Sequence, residues 1–174
     1  MAIPTMNTFT AGQRWRAADV NSQVRDAVTF AFTAKSCRAT SAATPSIANA
    51  TWTALTFTSE SFDTDGWHST STDTNRITPT LPGIYRVEIQ VAFAPHATGM
   101  RGVRIFRNGS TQIAGVQQTA STGGTMTLLY AATTMNANGS TDYFSAECYQ
   151  ASGGALALET SATATTFTVT WIGA

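Results

Sequence analysis

Acid–base or nucleophilic chemistry in this chain would have to run through very few side chains. There are two histidines, His68 and His96, and two cysteines, Cys37 and Cys148. A Ser or Cys nucleophile needs a base within hydrogen-bond reach, and in α/β hydrolases a Gly-x-Ser-x-Gly turn exposes it. No such turn occurs: His68 lies in a Ser/Thr-rich stretch and His96 follows a proline. Both read as solvated loop histidines. Glycoside hydrolysis needs two carboxylates facing a cleft. Glu60, Asp63, Asp65 and Asp73 cluster in sequence, but without the apolar surroundings that raise an acid's pKa. "DTDG" (Asp63 to Gly66) shares part of a calcium-loop pattern, yet Ser61 and Thr72 stand where an EF-hand needs Asp and Glu. The chain therefore reads as a non-enzyme with no catalytic residue, no metal site and no cofactor. The cysteines are too few for a disulfide framework and are not spaced for zinc, which predicts two buried thiols.

Charge narrows the partners. Ten Lys+Arg balance ten Asp+Glu in 174 residues, and the formal net charge is zero. Such a balance provides no long-range attraction to nucleic acid or anionic lipid. Arg14-Trp15-Arg16 sets an aromatic between two cations without further basic neighbours; it reads as a protein contact with Trp15 as anchor. Apolar runs such as "AVTFAF" are far shorter than the roughly 20 residues a membrane helix needs. Neither a nucleic-acid partner nor membrane insertion is expected. The first twenty residues lack the basic start and apolar core of a signal peptide. Assembly in a cytoplasm, with both thiols reduced, is the expectation.

Two kinds of element must position whatever the chain presents. "NTFTAGQRW" reads as extended and broken at Gly12. Beyond it, Val20, Val24, Ala27, Val28 and Ala31 fall on one helical face, with Asp19, Gln23, Arg25 and Asp26 turned away. This spacing predicts a helix over about residues 17–31. So short a helix is marginal alone, and its stripe needs another surface to lie on. From Ser36 the period changes to two. Tyr85, Val87, Ile89, Val91 and Phe93 share one face of a strand, Leu55 and Phe57 turn inward, and Phe167, Val169 and Trp171 line the last strand. Asn108-Gly109 between two strand-like arms is a strong hairpin signal, and Asn138-Gly139 reads as a second use of the device. Many short strands punctuated by turn residues predict an all-β sandwich or barrel. The Asn-x-Ser/Thr matches at Asn49, Asn108 and Asn138 are expected by chance in so Ser/Thr-rich a chain.

Between residues 60 and 93 a long polar loop gives way to Leu-Pro-Gly-Ile-Tyr and a clean strand. Pro82 cannot donate to a ladder and belongs at the strand's start. Gly83 is expected to supply a turn conformation.

"SFDTDGWHSTSTDTNRITPTLPGIYRVEIQV", "RIFRNGSTQIAG" and "TFTVTWIGA" together resemble the C1q/TNF-like jelly roll in its phage and bacterial form. The resemblance covers residues 36–174. It implies an antiparallel jelly-roll sandwich that assembles as a homotrimer; strands with apolar residues on both faces, such as Phe106 opposite Val103 and Ile105, agree with that. The chain lacks the Gly-X-Y collagen stalk.

Within the N-terminal segment, residues 1–35, the stretch "TFTAGQRWRAADVNSQVRDAVTFAF" (residues 8–32) carries a second resemblance. Thr10, Gly12, Ala17, Ala18, Asp19, Asn21, Arg25, Asp26 and Phe30 are similar to the opening of phage minor tail and other virion proteins. That implies a short arm and α-helix that dock onto neighbouring virion proteins, with Trp15, Arg16, Asp19, Asn21, Val24, Arg25, Asp26 and Phe30 as the contact set. The head would project from a tail tip or fibre base, or else from the capsid as a decoration or head fibre. A host-surface glycan is the expected ligand, contacted by Trp67, His68 and Tyr149, which lie where a core would not demand them. A wall-degrading enzyme is the reading from another class.

Overall fold

The computed structural model describes residues 3–5, 8, 10–41, 43–160 and 165–174. The chain divides into two compact units, residues 1–35 and 36–174.

In the first unit, Gly12 closes a turn in which Gln13 N–H donates to Thr10 O at 3.1 Å; residues 7 and 9 of the expected extended stretch lie outside the described set. Helices α1 (Ala17–Val20) and α2 (Asp26–Phe32) flank a π-helical turn, Asn21–Arg25. The wider i→i+5 spacing of that turn rotates the side chains of α2 relative to an ordinary helical wheel. This corrects one expectation: Gln23 is buried, not turned away, while Val20, Val24, Val28 and Phe32 are exposed.

The second unit is a β structure whose named strands all pair antiparallel. Its strands are β1 (Ser36–Thr40), β2 (Ser46–Ile47), β3 (Thr53–Ala54), β4 (Ser59–Asp63), β5 (Arg76–Ile77), β6 (Pro82–Phe93), β7 (Met100–Arg107), β8 (Thr111–Thr119), β9 (Thr127–Asn138), β10 (Phe144–Gln150), β11 (Leu156–Ala157) and β12 (Thr166–Gly173). One sheet runs β4-β1-β12-β6-β9; the other runs β3-β10-β7-β8, with β5 also on β10; β11 and β2 form a small ribbon. Alternation explains the core. Tyr85, Val87, Ile89 and Val91 of β6 are fully buried beside Phe167 and Val169 of β12, as are Val103, Ile105, Phe144 and Cys148 of the second sheet. Tyr85 approaches Phe144 of the other sheet at 6.1 Å between ring centroids. No described helix is long and apolar enough to cross a membrane.

Turn chemistry decides the connections. Asn108 and Gly109 take φ of 55° and 66° and join β7 to β8, as the hairpin signal requires. Asn138-Gly139 does something else: β9 and β10 belong to different sheets, so no hairpin forms. Instead Asn138 Oδ1 accepts the backbone N–H groups of Ser140, Thr141 and Asp142 at 2.9, 2.9 and 3.1 Å, steering the chain across. Gly83 is also not a turn residue. It sits inside β6 at φ 141°, where a Cβ would lie 2.3 Å from Gly173 O and 2.5 Å from Trp171 Nε1. Close approach of the last strand, not a reversal, demands glycine there.

Candidate functional site

The helical segment uses several of its predicted contact residues on itself. Asp19 Oδ2 accepts the Arg16 backbone N–H at 3.0 Å, capping the helix start. Arg25 donates to the adjacent Asp26 at 2.9 Å, and Asn21 O accepts the Asp26 N–H that closes the π turn. Phe30 is buried, with Lys35 Nζ 4.8 Å above its ring. Trp15 and Val24 are exposed, as are Arg16 and Asn21.

The polar loop is not the open surface its composition suggests. Trp67 is 2% exposed. Its indole N–H donates to Thr80 Oγ1 at 3.0 Å, and its ring meets Tyr85 edge-on at 5.5 Å. The His68 side chain is 0% exposed; Nδ1 lies 2.8 Å from Glu60 Oε1 and Nε2 lies 3.4 Å from Thr74 O. Both side chains are thus packed under the loop, which corrects their placement as surface residues and that of His68 as a solvated histidine. The loop folds back on the sandwich because Ser69 bonds to the backbone N–H groups of Ser71 and Thr72 while Trp67 and His68 turn inward. Asp63, the start of the calcium-like stretch, accepts the backbone N–H groups of Asp65 and His68 at 3.3 and 2.9 Å. Asp73 pairs with Arg76 at 2.5 Å. These acids hold the loop together. His96 is half-buried in the connection between β6 and β7, with Nδ1 3.2 Å from Thr98 Oγ1.

Tyr149 sits elsewhere, on the outward face of the β3-β10-β7-β8 sheet. Register sets Tyr149 opposite Gly102, and Gly102 opposite Gln117. Trp52, just before β3, lies beside Tyr149 with ring centroids 5.4 Å apart. The Arg104 guanidinium covers the Trp52 ring at 4.1 Å and is itself held by Glu147 through Nε at 2.9 Å and Nη2 at 2.5 Å. Trp52 is brought there by the absence of a neighbour: a Cβ on Gly102 would sit 2.9 Å from Trp52 Cη2. Together with Val103, Gln112, Gly115, Val116 and Gln117, Trp52 and Arg104 line a hollow of about 280 Å³. Sequence reading missed Trp52, although the alternation that turns Leu55 and Phe57 inward turns Trp52 outward.

The outward face of the other sheet mixes apolar and charged side chains. Leu128 and Tyr130 of β9 are 47% and 50% exposed, and Phe62 of β4 is 43% exposed. Between them the Tyr130 hydroxyl donates to Glu88, and Arg86 pairs with Glu88 at 2.8 Å. Burial works against ionisation of Glu88, but the Tyr130 hydroxyl and Arg86 hold its carboxyl below the ordinary range. Phe106, expected to make β7 apolar on both sides, is buried under Arg104 at 4.8 Å. Exposed large apolar side chains of the head lie on several strands: Phe62 on β4, Ile84 on β6, Met100 on β7, Leu128 and Tyr130 on β9, and Ile172 on β12.

Cys37 and Cys148 are buried free thiols. Burial, with Asp63 and Glu60 nearby, pushes Cys37 up, and burial beside Glu147 pushes Cys148 up to about 12.

Solved structures share this architecture. Murine APRIL at pH 5.0 superposes with a TM-score of 0.62 at 12% identity, covering 80% of this chain and 100% of that one. Murine APRIL at pH 8.0 gives 0.61 at 14% identity over the same shares. Eiger TNF from S. frugiperda gives 0.54 at 8% identity, covering 80% of this chain and 93% of that one. The fold is accordingly a TNF-like jelly roll. No protein-family model matches the chain, and no curated protein matches it in sequence.

Proposed function

We propose that this chain is a non-enzymatic structural protein of a bacteriophage virion. It serves as a minor tail, tail-tip or fibre protein, anchored by residues 1–35 and displaying a trimeric jelly-roll head toward host-surface glycans. The observation that carries this reading is the helical segment, set off as its own unit with Val20, Val24, Val28 and Phe32 exposed along it. An apolar stripe on so short a helix needs a partner surface, and a neighbouring virion protein fits the resemblance of this segment to virion docking arms. Trp15, Arg16, Asn21 and Val24 make the contact; Asp19, Arg25 and Asp26 hold the helix in shape.

Trimerisation uses the outward face of the β4-β1-β12-β6-β9 sheet. Leu128, Tyr130 and Phe62 supply apolar area there, while Arg38, Arg86 and Glu88 offer paired charges to a second and third copy.

Deleting residues 1–35 tests the anchor. The truncated head should still melt cooperatively but fail to enter particles. Incorporation at the normal level would refute the anchor. Mapping the full chain in the virion by electron microscopy then distinguishes tail from capsid; density on the capsid would make it a decoration or head-fibre protein.

A further inference from the structure

The hollow beside Trp52 deepens this reading by assigning the head's glycan contact to a particular face; it depends on the virion reading only for the source of the sugar. We infer that the hollow bounded by Trp52, Arg104, Gln112, Gly115 and Gln117 is a binding site for a single neutral saccharide ring.

Unspent hydrogen-bonding capacity is the first argument. The Trp52 indole N–H, the Tyr149 hydroxyl and the side-chain amides of Gln112 and Gln117 make no hydrogen bond to another described residue; the amides are exposed and the two rings half-buried. Three other polar aromatics of the head are committed: Trp67 donates to Thr80, Trp171 to Pro82 O at 3.2 Å and Tyr85 to Leu81 O at 2.5 Å. An amide offers two donors and an acceptor, which is what adjacent sugar hydroxyls require. The ring of Trp52 supplies an apolar wall for the C–H face of a sugar.

Charge and size narrow the ligand class. Glu147 neutralises Arg104 through two hydrogen bonds, so the hollow attracts neither anion nor cation strongly. Its volume of about 280 Å³ falls just under the ~300 Å³ at which pockets begin to enclose drug-sized molecules. One ring fits; the rest of a chain would lie over the exposed face of β8. Gly115 makes the space, since a Cβ there would stand 3.0 Å from Val103 O and 3.2 Å from Gln112 Nε2. Finally, the hollow lies on the sheet opposite the face assigned to trimerisation. Each copy keeps its own site, and three weak sites on one trimer add through avidity.

The test is a nuclear magnetic resonance titration of the isotopically labelled full chain with glucose, galactose and N-acetylglucosamine, each to millimolar excess. At least one sugar should shift the Trp52 indole signal and the Gln112 and Gln117 side-chain amide signals, saturating in the millimolar range. Trp52→Ala should abolish the response. Because Trp52 packs against Arg104, Gln117→Ala is the companion: it leaves the fold untouched and should weaken the dissociation constant about fivefold, the loss of one net hydrogen bond. No saturable shift with any of the three sugars would overturn the assignment, as would shifts unchanged in both variants. Purified protein is used throughout, so failure here is separate from failure to enter particles, which tests the virion reading alone.

Discussion

Trp67 and Trp52 were drawn to opposite fates by their surroundings. Trp67 stands in a loop of Asp, Ser and Thr that reads as surface, yet the loop wraps it so that its ring packs on Tyr85 and its N–H is spent on Thr80. Trp52 stands just before β3, where alternation sends it outward onto Gly102 and beside Tyr149, and its ring stays half-buried. A polar loop long enough to fold back must bury something to be ordered at all. An outward aromatic is buried only where neighbouring side chains cover it, as Arg104 covers Phe106; Trp52 is only partly covered, so its ring remains available to a ligand. Polarity of the neighbouring sequence is therefore a poor guide to accessibility; position relative to the sheet is a better one.

Substitutions sharpen the contrast. Trp67→Ala removes a buried ring and should lower stability by about 3–5 kcal/mol in denaturant melts. A loss under ~1 kcal/mol would mean that the loop does not hold its tryptophan as described. Asp142→Asn comes next. The Asp142 side chain, 5% exposed, accepts from Arg107 Nη2 at 2.8 Å, and from Asn108 Nδ2 and the Asn138 N–H, each at 2.8 Å, so it ties the β7–β8 turn to the β9–β10 crossing. Losing charge-assisted bonds of this kind costs about 2 kcal/mol.

Those bonds, led by Arg107 and then Asn108, hold the Asp142 carboxyl below its ordinary value of 3.8. A lowered folded pKa means that this stabilisation is complete above 3.8 and is lost as pH falls through the folded value. The wild-type advantage over Asp142→Asn should thus persist at neutral pH and shrink in strong acid; an advantage independent of pH would contradict the linkage. Trp52→Ala, by contrast, removes a stacked, half-buried ring and should cost about 1 kcal/mol, its larger effect falling on sugar binding. Smallest of all is the response of the thiols. Burial keeps both protonated, so an alkylating reagent should modify neither in the native protein and both after unfolding. Rapid native modification would show that one of them is reachable.

The period-two runs at Tyr85–Phe93 and Phe167–Trp171 were legible because each strand buries one face, and the Asn108-Gly109 turn because its backbone geometry is local. Gly83 and Asn138-Gly139 misled for a common reason. Their roles depend on Gly173 and on the partition of β9 and β10 between sheets, contacts that no local window contains. The helix was legible, its buried face less so, because a π turn shifts the wheel. Of the three residues expected at a glycan, Tyr149 alone lies beside the hollow. Trp52 completes it through a register that joins residues far apart in the sequence.

The most direct measurement is the mass of the full chain in solution at micromolar concentration. If the face built from Leu128, Tyr130 and Phe62 joins copies of the head as proposed, native mass spectrometry and sedimentation should both give three chains, and Tyr130→Asp should shift the population toward one. A stable monomer of the unsubstituted chain under those conditions would contradict the trimeric head and, with it, the arrangement of three outward-facing sites.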